Sequence, residues 1–147
     1  MIVPDVNVLL HAYNTGSSAH RPARLWWESA LAGTRPVGLA WVSILGFVRI
    51  ATNRTIFDRP LRPAEATLEV RAWLSAPNAQ VLVPGEAHAD ILFGLLDHLG
   101  TAGNLTTDAH LAALAMEYHA EVATTDTDFA RFLKLRWFNP IASKRRK

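Results

Sequence analysis

Glu121-Val122-Ala123-Thr124-Thr125-Asp126-Thr127-Asp128-Phe129 is the stretch on which the fold turns. Its first half, Glu121 to Thr125, reads as a short strand. Its second half, Thr-Asp-Thr-Asp before Phe129, is turn and helix-start chemistry. The chain opens the same way: Met1 to Val3 is apolar, and Pro4-Asp5 follows. Between these two stretches, strand-like runs alternate with helical patterns. That alternation predicts an α/β fold of three layers, α/β/α, around a central, mostly parallel sheet.

Working outward, Val6 to Tyr13 begins a helix and Asn14 to Ser18 is turn chemistry. Pro22 suits the first turn of a second helix, whose apolar face holds Trp27, Ala30 and Leu31. Val37 to Trp41 reads as a second strand. Ile44, Phe47, Val48 and Ala51 follow the i, i+3, i+4, i+7 spacing of a packed helix. After a loop from Asn53 to Pro63, Ala66, Val70, Trp73 and Leu74 mark another helix. Val81 to Val83 is a third strand. Leu92, Leu95, Leu96 and Leu99 mark one helix, ended by Gly100 to Asn104. Leu111, Leu114, Ala115 and Tyr118 mark the next. A short helix is expected over Asp128 to Leu133 and a last strand over Arg136 to Phe138. No internal repeat or interdomain linker interrupts the pattern, so residues 1–147 are expected to form one domain.

At 147 residues, half of them hydrophobic, the chain has enough material for a sizeable core. No apolar run is long enough to span a bilayer, and Asp5 interrupts the start before a signal-peptide core forms. There is no cysteine. That excludes disulfides, thiolate metal sites and cysteine nucleophiles, and it fits a reducing, cytoplasmic setting. The net charge is only +2, but twelve of the fifteen basic residues are Arg, whose planar fork suits phosphate. The tail at 143–147 ends in Lys144-Arg145-Arg146-Lys147. It reads equally as a phosphate-attracting arm or as a solvated disordered end.

The chemistry lies in four aspartates. In an open parallel sheet, function collects at the carboxyl ends of the strands. Asp5 follows the first strand, and Asp126 and Asp128 follow the fourth. Asp108 stands at or near the start of a helix. If the first and fourth strands are neighbours, these acids face one crevice. Clustered carboxylates raise one another's pKa, and a hard cation such as Mg²⁺ or Mn²⁺ removes that cost. Two such ions about 3.5–4 Å apart would clamp an in-line displacement at phosphorus, with an activated water as nucleophile.

Each acid also has a plainer role available. Asp108 follows Thr106-Thr107 and suits a helix N-cap. Asp126 and Asp128 suit a turn and a cap. Asp5 is harder to explain that way, because a buried unpaired charge is expensive. Asn7 is either a helix-start residue or a partner of Asp5. Thr124 and Thr125 either favour the strand end or reach a water or phosphate. Arg49 either contacts phosphate or pairs with an acid. The six histidines form no zinc pattern, since His110 and His119 lack the spacing that shares a helical face. Of the adjacent Trp26 and Trp27, one is expected to be exposed.

The order of elements and three motifs resemble a PIN domain, most closely a VapC-type toxin ribonuclease. The motifs are Asp5-Val6-Asn7-Val8-Leu9-Leu10, Gly103-Asn104-Leu105 with Asp108-Ala109-His110-Leu111-Ala112-Ala113-Leu114-Ala115, and Thr124-Thr125-Asp126-Thr127-Asp128-Phe129. The resemblance implies a Mg²⁺- or Mn²⁺-dependent endoribonuclease that cuts tRNA or ribosomal RNA. It also implies neutralisation by a small VapB-type antitoxin and a homodimer. Carried over by position, Asp5, Asp108 and Asp126 are metal ligands and Asp128 supports them. The early helices around Trp26, Trp27 and Trp73 are candidates for the antitoxin groove. One departure stands out. The family's usual glutamate on the helix after the second strand aligns with Gly46, and no carboxylate occurs between Glu28 and Asp58.

Two rivals differ in kind. An aspartyl-phosphate protein, such as a receiver domain or phosphatase, needs a cation at the transferred phosphoryl group. The only lysines are Lys134, Lys144 and Lys147, all beyond the last acidic motif. A PIN-like domain that binds RNA or protein without cutting is favoured by Gly46 and disfavoured by the four aspartates.

Overall fold

Ile2–Pro4 forms strand β1, buried on both faces, and its proline sets where the strand stops. Proline has no N–H to donate to a ladder, and here it is the last residue of the strand. The ladder is resumed by the Asp5 amide, which donates to Ala123 O at 2.9 Å. Asp5 is thus fixed at the carboxyl edge of the sheet. The computed structural model describes residues 1–142; the basic tail at 143–147 lies outside them.

The remaining elements are α1 Val6–Tyr13, α2 His20–Ala32, β2 Val37–Ala40, α3 Trp41–Ala51, α4 Pro63–Leu74, β3 Ala79–Leu82, α5 His88–Leu99, α6 Thr106–Glu117, β4 Glu121–Ala123 and β5 Trp137–Phe138. Short 3₁₀ turns cover Gly103–Leu105 and Thr127–Arg131. The strand order is β3-β2-β1-β4-β5, and every neighbouring pair is parallel. The sequence expectation of an α/β fold with a mostly parallel sheet is met. β1 lies between β2 and β4, so the chain reverses its direction of travel across the sheet there. This is the switch point at which such folds open a crevice.

The core divides by face. One cluster joins Leu9, Trp27, Leu39, Ile44, Phe47 and Trp73, and so packs α1 to α4 on one side of the sheet. The other joins Val3, Ala40, Leu95, Leu111, Leu114, Val122 and Phe129, and packs α5 and α6 on the opposite side. Alternate residues of β2 point to opposite layers, as the strand period requires. Five successive residues of α6, Leu111 to Ala115, are buried. A helix buried nearly all round belongs between layers, and its alanines allow close approach to the sheet.

Several boundaries differ from the sequence reading. The third strand begins earlier, at Ala79, because it is an edge strand whose Gln80 and Val81 are exposed. Helix α5 begins at His88, a full turn before its apolar pattern is legible. The expected short helix after Asp126 is a 3₁₀ turn. Trp27 and Trp73 are each only 1% exposed, with ring centroids 5.5 Å apart and edge to face. They are core residues and cannot line a groove. Trp26 is half-buried and packs on Phe138. Among the described residues, no helix is long and apolar enough to cross a membrane.

Candidate functional site

The site grows from one hydroxyl. Thr124 follows β4 and is fully buried. Its Oγ1 donates to Asp5 Oδ2 at 2.8 Å. The same oxygen accepts from Asn7 Nδ2 at 3.2 Å and from the Asp126 amide at 2.9 Å. Asn7 Oδ1 in turn accepts from the Thr125 amide at 3.3 Å. Residues from both ends of the chain are therefore knitted at the switch point. Asn7 lies in the first turn of α1 and bonds Thr124 and the Thr125 amide, while Thr124 is the side chain that bonds Asp5 directly. Thr125 contributes its backbone.

Asp5 is 5% exposed. It caps α1, its Oδ1 accepting from the Val6 amide at 2.6 Å. Burial pushes its carboxyl up to about 6, against the lowering pull of Thr124 and the Val6 amide; Asp108 and Asp126 raise it further. Among the described residues no cation stands within ion-pair distance of Asp5. A buried carboxylate held by two donors and no counter-ion is unusual, because burying a charge costs heavily unless it is paired.

Asp108 is not an N-cap. It is the third residue of α6, whose start has no side-chain cap. It is half-buried, and its carboxyl is raised by desolvation, then by Asp126 and Asp128. The capping role belongs to Asp126, whose Oδ1 accepts from the Asp128 amide at 2.8 Å. That role leaves its second oxygen free. Asp128 is exposed on the 3₁₀ turn, near enough to Asp108 to affect its charge. The four sequence candidates thus lie in one electrostatic neighbourhood. As they stand, no three Asp, Glu or His side chains among the described residues converge on a single point.

A cavity opens beside them, lined by Asp5, Val6, Ser43, Gly46, Arg49 and Asp108 among others, with about 80 Å³ for water-sized occupants. Gly46 faces Val6 across it: a Cβ at position 46 would stand 3.0 Å from Val6 Cγ2. α1 and α3 are therefore in close contact where the family pattern places its glutamate. Arg49 is exposed and forms no ion pair among the described residues, so pairing with an acid is not its role here.

Sequence spacing missed a second polar group. His88 Nδ1 lies 2.9 Å from Glu117 Oε2, and His88 Nε2 lies 2.9 Å from His110 Nδ1. Glu117 also accepts from the Gly85 amide. These links staple α5 to α6. Burial, then His88, lowers the His110 pKa. Nothing in sequence spacing flags the group, because His88 sits on α5 while His110 and Glu117 sit seven residues apart on α6.

The donors at the crevice are hard oxygens around an unpaired buried acid, a set whose chemistry fits a divalent cation such as Mg²⁺ or Mn²⁺. Comparison with known proteins agrees with the fold. The PIN domain family model matches residues 2–135. The chain is 49% identical over 141 residues to Ribonuclease VapC33 of Mycobacterium tuberculosis, covering 96% of this chain and 99% of that protein. It is 48% identical over 142 residues to Ribonuclease VapC37 of the same species, covering 97% and 99%. The solved structure of VapBC2 from Rickettsia felis, bound to a DNA fragment from their promoter, superposes with a TM-score of 0.67. That match has 16% identity and covers 95% of this chain and 98% of that one. The chain belongs to the PIN domain family, among its VapC members.

Proposed function

We propose that this protein is a metal-dependent endoribonuclease toxin. Asp5, Asp108 and Asp126 would hold Mg²⁺ or Mn²⁺, and Asp128 would support them from the exposed turn. The observation that carries this reading is Asp5, a buried carboxylate with two hydrogen-bond donors, no counter-ion among the described residues and two further acids beside it. When bound, the ion supplies Lewis acidity and lowers the pKa of a water that attacks phosphorus.

The chain's own residues account for the rest. Thr124 fixes the Asp5 rotamer and leaves one Asp5 oxygen bonded only to the Val6 amide. Asn7 and the Asp126 amide hold Thr124 in turn. Asp108 and Asp126 are half-exposed, so their side chains are free to close on an ion. The names of its relatives support RNA as the substrate. By the family resemblance this is tRNA or ribosomal RNA, cut in the cytoplasm. Structural likeness to VapBC and FitAB assemblies supports a VapB-type antitoxin as partner. A homodimer follows from the family resemblance.

A second reading rests on Gly46. With no acid there, a PIN-like domain would bind RNA or a protein without cutting. Purified, antitoxin-free protein incubated with total bacterial RNA decides between them. Cleavage in Mg²⁺ or Mn²⁺ that stops in EDTA is the expected result. Intact RNA in either metal would favour the binder.

A further inference from the structure

The first turn of α3 holds a polar atom that the acidic cluster leaves unused. Ser43 is 3% exposed, and its Oγ has no hydrogen-bond partner among the described residues. A buried hydroxyl without a partner is destabilising, and such groups are rare enough to need a reason. Ser43 lines the same cavity as Asp5 and Asp108. It is the third residue of an 11-residue helix whose start carries no side-chain cap. The open N-terminal amides and the positive end of the helix dipole favour an anion.

Two further features agree. Arg49, on the same helix, lines the same cavity and has no acidic partner among the described residues. Gly46 lies between Ser43 and Arg49 and carries no side chain into that space. A carboxylate at position 46 would put negative charge into the space beside the Ser43 hydroxyl and the Arg49 guanidinium. Its absence leaves a wall of donors opposite a wall of acids.

We infer that the cavity-lining face of α3 is a phosphate subsite, in which the Ser43 hydroxyl of its first turn and the Arg49 guanidinium of its last turn hold a backbone phosphate of RNA beside the acids. This rests on the ribonuclease reading and adds to it the element that grips the substrate. The acids alone would repel a polyanion. A cationic, donor-rich lip on the facing helix gives the strand a reason to lie along the cavity.

The test is binding of bulk tRNA by the full chain in EDTA, where metal-dependent cleavage does not compete, followed across a salt series. Arg49→Met is expected to weaken binding roughly fivefold and to lower the salt slope by about one, the loss of one phosphate contact. Ser43→Ala is expected to weaken binding about threefold, with the slope unchanged because the hydroxyl is neutral. Its melting temperature should hold or rise, since an unsatisfied buried group is removed. Wild-type slope in Arg49→Met together with wild-type affinity in Ser43→Ala overturns the subsite. If wild-type protein cuts total RNA in Mn²⁺ while both variants bind as it does, the ribonuclease reading survives and the subsite does not. If wild-type protein neither binds nor cuts RNA, both fail.

Discussion

The Thr124 hydroxyl donates to Asp5 Oδ2 at 2.8 Å, joining the end of β4 to the end of β1 across 119 positions of chain. The same oxygen accepts from Asn7 and from the Asp126 amide. Thr124→Val keeps the shape but leaves two donors and a buried carboxylate without their partner. The expected cost is about 1–3 kcal/mol, with cleavage reduced at least tenfold. Thr124→Ser keeps the hydroxyl and should retain most of both. Urea unfolding of the three proteins would check this; equal midpoints would show that the hydroxyl holds nothing together.

Asp5→Ala is expected to abolish RNA cleavage while leaving the fold intact or more stable, because Asp5 is buried for chemistry rather than packing. Cleavage at the wild-type rate would remove Asp5 from the site.

The same residue predicts a pH signature in the metal-free protein. The Asp5 carboxyl rises from 3.8 to about 6 on folding, chiefly by burial. An acid with a raised folded pKa binds its proton more tightly when folded than when unfolded. Its contribution is therefore most favourable below the unfolded value, falls as pH rises from about 4 to about 6, and then levels. At neutral pH the penalty is on the order of 3 kcal/mol. Asp5→Asn should thus raise the melting temperature in EDTA near neutrality and raise it far less near pH 4. An equal gain at both pH values would contradict the assignment.

Asp126→Asn replaces one anionic oxygen by an amide but keeps an acceptor for the Asp128 amide, so the cap should survive. Calorimetric titration with Mn²⁺ is expected to show affinity lowered tenfold or more, with little change in melting temperature. Unchanged affinity would mean that Asp126 is a turn residue only.

Gly46→Glu asks whether the missing family acid matters. The new Cβ must push Val6 back by a few tenths of an ångström, an overpacking cost of about 1 kcal/mol. In return a third carboxylate would face the cavity beside Asp5 and Asp108, and Mn²⁺ affinity should rise severalfold. Calorimetry giving the wild-type affinity would place position 46 away from the ion.

What the sequence disclosed follows from where its signals are local. Short apolar runs closed by Pro4-Asp5 or Thr125-Asp126 mark buried parallel strands and their ends, and the alternation with helices then places those ends on one edge. That brought Asp5, Asp108, Asp126 and Asp128 into one neighbourhood. The rest depends on contacts between distant elements. Adjacent Trp26 and Trp27 must face differently, but nothing local says that Trp27 turns inward to meet Trp73. Asp108 does lie in the first turn of α6, but the N-cap position falls three residues earlier, at Leu105, because Thr106 and Thr107 are already inside the helix. The partners of Thr124, the Glu117–His88–His110 staple and the unbonded hydroxyl of Ser43 exist only once helices and strands are assembled.

The middle position of β1 has a temporal consequence. Its acid is synthesised well before the hydroxyl that orients it, 119 positions later, and before the strand that flanks it. A growing chain truncated before Thr124 can hold β1 against β2 but has no crevice at the far side. The carboxylate crevice is therefore completed only after those later residues are made and packed against β1.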